Sequence, residues 1–242
     1  MVARATASAL EPGLVGAVRA ALAGAGDPQR AAGQQRYMKS EMPYRGLTSP
    51  QLRALLRPVF DDPSLAPGSR EAWEADVRAL WDGAAFREER YAAIALTGHR
   101  AAGPWQDPST LTLYRHLVGT GAWWDYVDVL AADRVGPILL RHREVVTPVM
   151  REYAVDGHLW VRRTAILAQL KHRQQTDLEL LTDAIDANLE GSVFGSEFFV
   201  RKAIGWALRQ HARVDPGWVR AFVEARGDRL SGLSRREALK HL

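Results

Sequence analysis

The sequence predicts an all-α protein built from paired helices. Three observations carry this. Apolar residues recur at three- and four-residue spacing along most of the 242 residues, the mark of helices that bury one stripe. Breakers punctuate the pattern at short intervals, and no run of alternating β-branched residues long enough for a strand intervenes. A weak internal repeat also relates two distant segments. Hydrophobic residues make up 47% of the chain, enough for a sizeable core. The absence of cysteine excludes disulfides and thiolate metal sites, and it fits a reducing cytosol. No apolar run of membrane length and no basic-then-apolar leader is present, so a cytoplasmic protein is expected.

Helical spacing covers residues 14–22, 52–59, 73–81, 91–96 and 111–118. It returns over 127–135, 160–170, 178–189 and 199–208. Stops are expected at Pro43, Gly46, Pro63, Pro67-Gly68, Gly103-Pro104, Gly136-Pro137, Gly157, Gly191, Gly195 and Pro216-Gly217. Ser69, Asp107, Asp177 and Ser234 stand where helix starts are expected, because their side chains can accept from the first free backbone N–H groups. Gly13-x-x-Gly16 reads as helical glycines, Gly24-x-Gly26 as a helix stop, and Glu88-Glu89 as a solvated helix start. Counting weaker stretches, about twelve helices joined by short loops are expected. Residues 1–8 read as a flexible tail and 9–242 as a single domain.

The repeat aligns Val161-Arg162-Arg163 with Val200-Arg201-Lys202, Ala168 with Ala207, and His172 with His211, an offset of 39 residues. Ala95 and His99 stand 73 residues before Ala168 and His172, near twice that period. A period near 40 made of helix pairs is similar to HEAT or armadillo units. The expected architecture is a curved, right-handed solenoid of about six such pairs, with a concave face suited to an extended partner. The three histidines read as structural or phosphate-facing groups, not metal ligands, and no metal-binding spacing occurs elsewhere.

Net charge is +4 and only four of the 32 basic residues are lysines: Lys39, Lys171, Lys202 and Lys240. Positive charge gathers in the last third, at Arg162, Arg163, Lys171 and Arg173, at Arg201, Lys202, Arg209 and Arg213, and at Arg229, Arg235, Arg236 and Lys240. Arg163 and Lys171 lie eight apart, roughly 12 Å along a helix, a spacing that reaches separate phosphates of one strand. The alternative for any single charge is a solvated face held by salt bridges.

Trp123-Trp124-Asp125-Tyr126-Val127-Asp128 is the densest chemical feature. Trp124 and Asp128 are four apart and share a helix face, an indole beside a carboxylate. Both attract positive charge, so the pair suits a cationic group or a carbocation-like transition state. Either tryptophan alone is more often core than site. Asp128 stands among Val127, Val129 and Leu130, where a carboxylate is costly unless it is paired or opens onto a cleft. Trp206 follows Gly205, which leaves room for a close approach beside an indole.

The chain resembles the AlkD family of DNA glycosylases over nearly its whole length. The resemblance rests on Gln34-Gln35-x-Tyr37-Met38, Pro43-Tyr44-x-Gly46-Leu47 and Trp123-Trp124-Asp125-x-Val127-Asp128. It continues through Trp160-x-Arg162-Arg163-Thr164-Ala165-Ile166-Leu167, Gln169-Leu170-Lys171 and Phe198-Phe199-x-x-Lys202-Ala203-Ile204-Gly205-Trp206, and closes with Ser234-x-Arg236-Glu237-Ala238-x-Lys240-His241. Residues 186–196 form a segment longer than the family pattern. The resemblance implies HEAT-like repeats with a concave DNA-binding face and excision of alkylated purines without base flipping, with no cofactor. Asp128 would be the catalytic carboxylate, with Trp124 and Trp206 as the aromatic pair facing the lesion. Arg163 and Lys171 match positions that contact backbone phosphates, and Tyr37 an aromatic on the lesion-opposing side. Arg162, Lys202, Arg236 and Lys240 complete the expected DNA-binding set.

The implied substrate is double-stranded DNA carrying N3- or N7-alkylated purines, bound by a monomer without an obligate protein partner. Such bases are already cationic leaving groups, so the demand falls on the oxocarbenium-like sugar and on a water, as in sugar hydrolases. Relatives that protect producers of minor-groove-alkylating antibiotics bring bulky adducts within the expected range. Two other readings stand beside this one: a non-catalytic HEAT-like protein that binds bent or branched DNA, and a protein-binding helical scaffold.

Overall fold

The computed structural model describes residues 12–242, and the expected tail over residues 1–8 lies outside them. The described residues form fourteen α-helices and no strand. The chain divides into two compact units with the boundary between Trp105 and Gln106. The first carries α1 (Gly13–Leu22), α2 (Pro28–Met38), α3 (Ser49–Asp61), α4 (Arg70–Asp82) and α5 (Arg87–Thr97). The second carries α6 (Leu111–Gly121), α7 (Trp124–Leu130), α8 (Gly136–Arg141), α9 (Arg143–Ala154), α10 (Leu159–Leu167), α11 (Leu178–Asp186), α12 (Phe198–His211), α13 (Pro216–Arg226) and α14 (Gly232–Ala238).

Helices touch their sequence neighbour and also the next but one: α9 packs on α10 and α11, α10 on α12, and α12 on α13 and α14. That pattern is a stack of helical hairpins in which equivalent helices of successive pairs meet, the HEAT-like arrangement. The repeat histidines serve it. His99 Nε2 lies 2.8 Å from the Phe60 carbonyl and His172 Nε2 2.9 Å from the Gly136 carbonyl, each reaching back to the preceding pair.

Helix starts follow the expected chemistry at Ser69 and Asp177, whose side chains accept from Ala72 N and Leu180 N. Asp107 instead caps a short 3₁₀ turn, Pro108–Thr110, that leads into α6. Ser234 is not a start. Ser231 caps α14, and Ser234 is buried inside it with its hydroxyl donating to the Arg201 carbonyl at 2.9 Å. Gly205 is likewise a packing residue, because a Cβ there would stand 2.5 Å from Glu237 Cβ. Its bareness lets α14 close on α12.

Glu88 and Glu89 are not solvated; both are buried at the start of α5. The Glu88 carboxylate accepts from three successive backbone N–H groups, Arg45 at 2.9 Å, Gly46 at 3.0 Å and Leu47 at 3.2 Å. This anchor explains the Pro43-Tyr44-x-Gly46-Leu47 turn. Gly46 takes φ +87°, and a Cβ there would lie 2.1 Å from the Asp27 carbonyl oxygen. A carboxylate among N–H donors in the first turn also meets the positive end of the helix. Glu88→Gln keeps the size but turns an amide NH₂ toward those donors. It should lower unfolding free energy by about 2–3 kcal/mol in urea denaturation, and no loss would show that the turn holds without the charge.

Candidate active site

The seven residues of α7 are too few to hold a helix alone. They stand because Tyr126, Val127 and Leu130 are fully buried. Trp123 enters in extended backbone, which makes Trp124 the first helical residue and puts Asp125 in the first turn. Trp124 and Asp128 then lie one turn apart, Trp124 half-buried and the Asp128 side chain largely buried.

The helix does not stop at Gly136-Pro137 as the sequence suggested. A π turn over Ala131–Val135 carries it directly into α8. Pro137 has no N–H to offer the carbonyl four residues back. That Asp133 carbonyl instead accepts from Arg134 Nη1 at 2.9 Å. Gly136 is required for packing: a Cβ would sit 2.4 Å from the Ala168 carbonyl oxygen at the end of α10. π turns concentrate at functional sites, and this one directly follows the helix that carries Asp128.

Arg163, from the middle of α10, meets the Asp128 carboxylate edge to edge. Nε lies 2.7 Å from Oδ1 and Nη2 2.9 Å from Oδ2. Nη1 donates to the Phe199 carbonyl on α12. All three guanidinium nitrogens are therefore engaged, and the two side chains are only 5% and 13% exposed. Burial pushes the Asp128 carboxyl above its ordinary value, the paired guanidinium pulls it back, and Asp125 adds to the rise. Both oxygens accept from Arg163, a geometry that belongs to the ionised carboxylate.

An aromatic cluster borders the pair. The Phe199 ring lies 5.4 Å from Trp123 and 5.0 Å from Trp160, with Trp123 and Trp160 5.9 Å apart. The Arg163 guanidinium carbon is 6.0 Å from the Phe199 ring centre. Phe198 stands edge-on to Phe199 and is exposed. None of these four rings was assigned a role from the sequence. Their signal was aromatic density in the Trp123, Trp160 and Phe198-Phe199 motifs. On α12, Phe199, Lys202 and Trp206 follow at intervals of three and four and share a face. Trp206, half-buried, thus belongs to the same helix face as the residue that receives Arg163.

The expected DNA-binding residues separate into two groups. Arg163 is buried on Asp128 and has no free edge for a phosphate. Arg162 is also internal: Nε and Nη2 donate to the carbonyls of Asp156 at 2.6 Å and Val155 at 3.1 Å, and its plane lies over Phe194. The eight-residue spacing to Lys171 therefore does not describe two phosphate-facing cations. Lys171 is exposed and paired with Asp133. Lys202 is partly exposed and sits 2.8 Å from Glu237, which also takes Arg209. Arg236 and Lys240 are exposed at the end of the chain. Tyr37 belongs to the first unit and is 78% exposed on α2. The 186–196 segment is tied down by Arg226 on Asp186 at 2.9 Å and by Arg201 on Glu190. Among the described residues no group of acidic and histidine side chains is placed to hold a metal.

Removing one member of a buried ion pair leaves an uncompensated charge. Arg163→Ala should therefore cost about 3–5 kcal/mol of stability. Asp128→Leu combined with Arg163→Met should recover most of that loss. A double variant no more stable than Arg163→Ala would show that the pair is not what holds α7 to α10.

With this geometry in place, relatives are informative. A sequence profile of the DNA alkylation repair enzyme family matches residues 18–242. A solved structure described as a predicted DNA alkylation repair enzyme from Enterococcus faecalis is similar, with a TM-score of 0.78 and 28% identity over 90% of this chain and 96% of that one. No curated protein matches the chain. The chain belongs to the DNA alkylation repair enzyme family.

Proposed function

We propose that this family member is a DNA glycosylase that hydrolyses the N-glycosidic bond of cationic N3- or N7-alkylated purines in duplex DNA and leaves an abasic site. The observation that carries the reading is the largely buried Asp128 carboxylate, fixed by Arg163 and one helical turn from Trp124. As the bond breaks, the base leaves with the electron pair and loses its positive charge, while the sugar becomes oxocarbenium-like. Asp128 opposes that charge and orients the water that adds to the sugar carbon, taking its proton. A site of low polarity strengthens the interaction. Trp124 and Trp206 supply π faces toward the sugar, each contributing about 1 kcal/mol. Arg163 acts as a positioning residue that holds both carboxylate oxygens in place.

No enclosed pocket for a flipped base enters this reading, and bulky minor-groove adducts fall within its range. Lys171, Lys202, Arg236 and Lys240 are the proposed phosphate contacts, and the exposed Tyr37 ring a further contact from the first unit. We take residues 9–242 as one functional domain that acts as a monomer in the cytoplasm. No described helix is long and apolar enough to cross a membrane.

Asp128→Asn should abolish single-turnover excision of 7-methylguanine while leaving affinity for undamaged duplex within about twofold, a difference under 0.5 kcal/mol. Thermal melting shows whether the variant is folded. Undiminished excision by a folded Asp128→Asn protein would remove the carboxylate from the chemistry and favour a non-catalytic DNA binder or another site. Activity also depends on ionised Asp128, whose proton is held above the ordinary 3.8 by burial. The excision rate should therefore fall as pH drops through a midpoint above 3.8. Arg163→Lys, which replaces two charge-assisted bonds with one point charge, should move that midpoint higher. A limb that stays in place in this variant would contradict the coupling.

A further inference from the structure

His211 ends α12 at the position that His99 and His172 occupy in earlier pairs. Those two reach back 39 and 36 residues to a backbone carbonyl. His211 does not. It is 7% exposed, and neither ring nitrogen has a hydrogen-bond partner among the described residues. Counting back by the same intervals leads to residues 172–175, in the turn that follows α10. A cavity of about 760 Å³ lies there instead, lined by His211 together with Arg173, Gln174 and Thr176.

The chemistry of the walls is one-sided. Lys171, Arg173 and Arg213 line the cavity and no carboxylate does. Lys171 shares its charge with Asp133, whereas Arg173 and Arg213 form no ion pair among the described residues and are exposed. Arg173 also takes a left-handed backbone, φ +53°, which a non-glycine residue seldom adopts. Burial holds His211 below its ordinary pKa, against the pull of Asp215, so its ring is neutral and presents one N–H and one lone pair.

We propose that this cavity binds an oxyanion of the phosphate class, held by Arg173, Arg213 and Lys171 and accepting a hydrogen bond from the His211 ring. The anion supplies the acceptor that a carbonyl supplies to His99 and His172. The site uses neither Asp128 nor Arg163 but shares Lys171 with the proposed DNA contacts, so its DNA arm rests on the glycosylase reading and its pyrophosphate arm does not. The phosphate belongs either to the backbone of bound DNA or to a free phosphate-bearing molecule.

The test uses the full chain and pyrophosphate as the probe, with calorimetry and the ¹⁵N signals of the His211 ring. Pyrophosphate should bind with a Kd of about 1 mM or tighter and move the ring signals. The Arg173→Ala, Arg213→Ala double variant should weaken it about tenfold. His211→Gln should weaken it about threefold; if that variant does not fold, the exposed arginine pair carries the test. Duplex affinity that drops in the double variant, with a salt slope shallower by about 1.8, assigns a backbone phosphate. Pyrophosphate binding with unchanged duplex affinity assigns a free ligand. Equal pyrophosphate binding by native and double-variant proteins overturns the proposal. So does no binding at about 10 mM combined with unchanged duplex affinity.

Discussion

The second unit is organised around one buried ion pair. Arg163 and Asp128 join α10 to α7, and the third guanidinium nitrogen joins both to α12 through the Phe199 carbonyl. Two charges removed from water are tolerated because Arg163 meets both carboxylate oxygens and gives its third nitrogen to the Phe199 carbonyl. The consequence is a carboxylate whose orientation is set by α10 rather than by its own short helix. Burial and pairing act on it in opposite directions, and burial wins. A group held in that balance suits the stabilisation of a transient cation, since a carboxylate in water would be surrounded by solvent dipoles that compete for it.

The same constraint decides where the positive charge of the chain is used. The sequence presents a basic last third, but much of it turns inward. Arg162 fastens the turn before α10 and the 186–196 segment, and Arg226 holds Asp186. Arg209 shares Glu237 with Lys202. What remains outward is Lys171, Arg173, Arg213, Arg220, Arg229, Arg236 and Lys240. Arginine is suited to the internal task because its planar fork bonds several oxygens at once. Several forks thus serve the architecture, and exposed arginines and lysines are left for a polyanion.

Much of this was legible in the residues. Helical class followed from three- and four-residue spacing, and the repeat from histidines that do perform equivalent bonds in two of three cases. α2 escaped the periodicity because it buries only Met38. Gly136-Pro137 read as a stop because local propensity cannot see a π turn or the Ala168 carbonyl that excludes a Cβ. Glu88 looked solvated because its partners, the amides of residues 45–47, are more than forty positions away and leave no trace in local pattern. The placement of Asp128 was anticipated from its apolar neighbours. Its partner was not, because Arg163 resembled a surface cation as readily as a buried one, and only the packing of α10 decides between them.

The most direct measurement identifies what leaves the DNA. Duplex carrying a single 7-methylguanine is incubated with excess protein, and the products are separated by mass. Free 7-methylguanine together with an abasic strand is the predicted result. Guanine restored within an intact strand, with no base released, would mean that the alkyl group and not the base is removed, and would contradict the assignment of Asp128 to glycosidic bond cleavage.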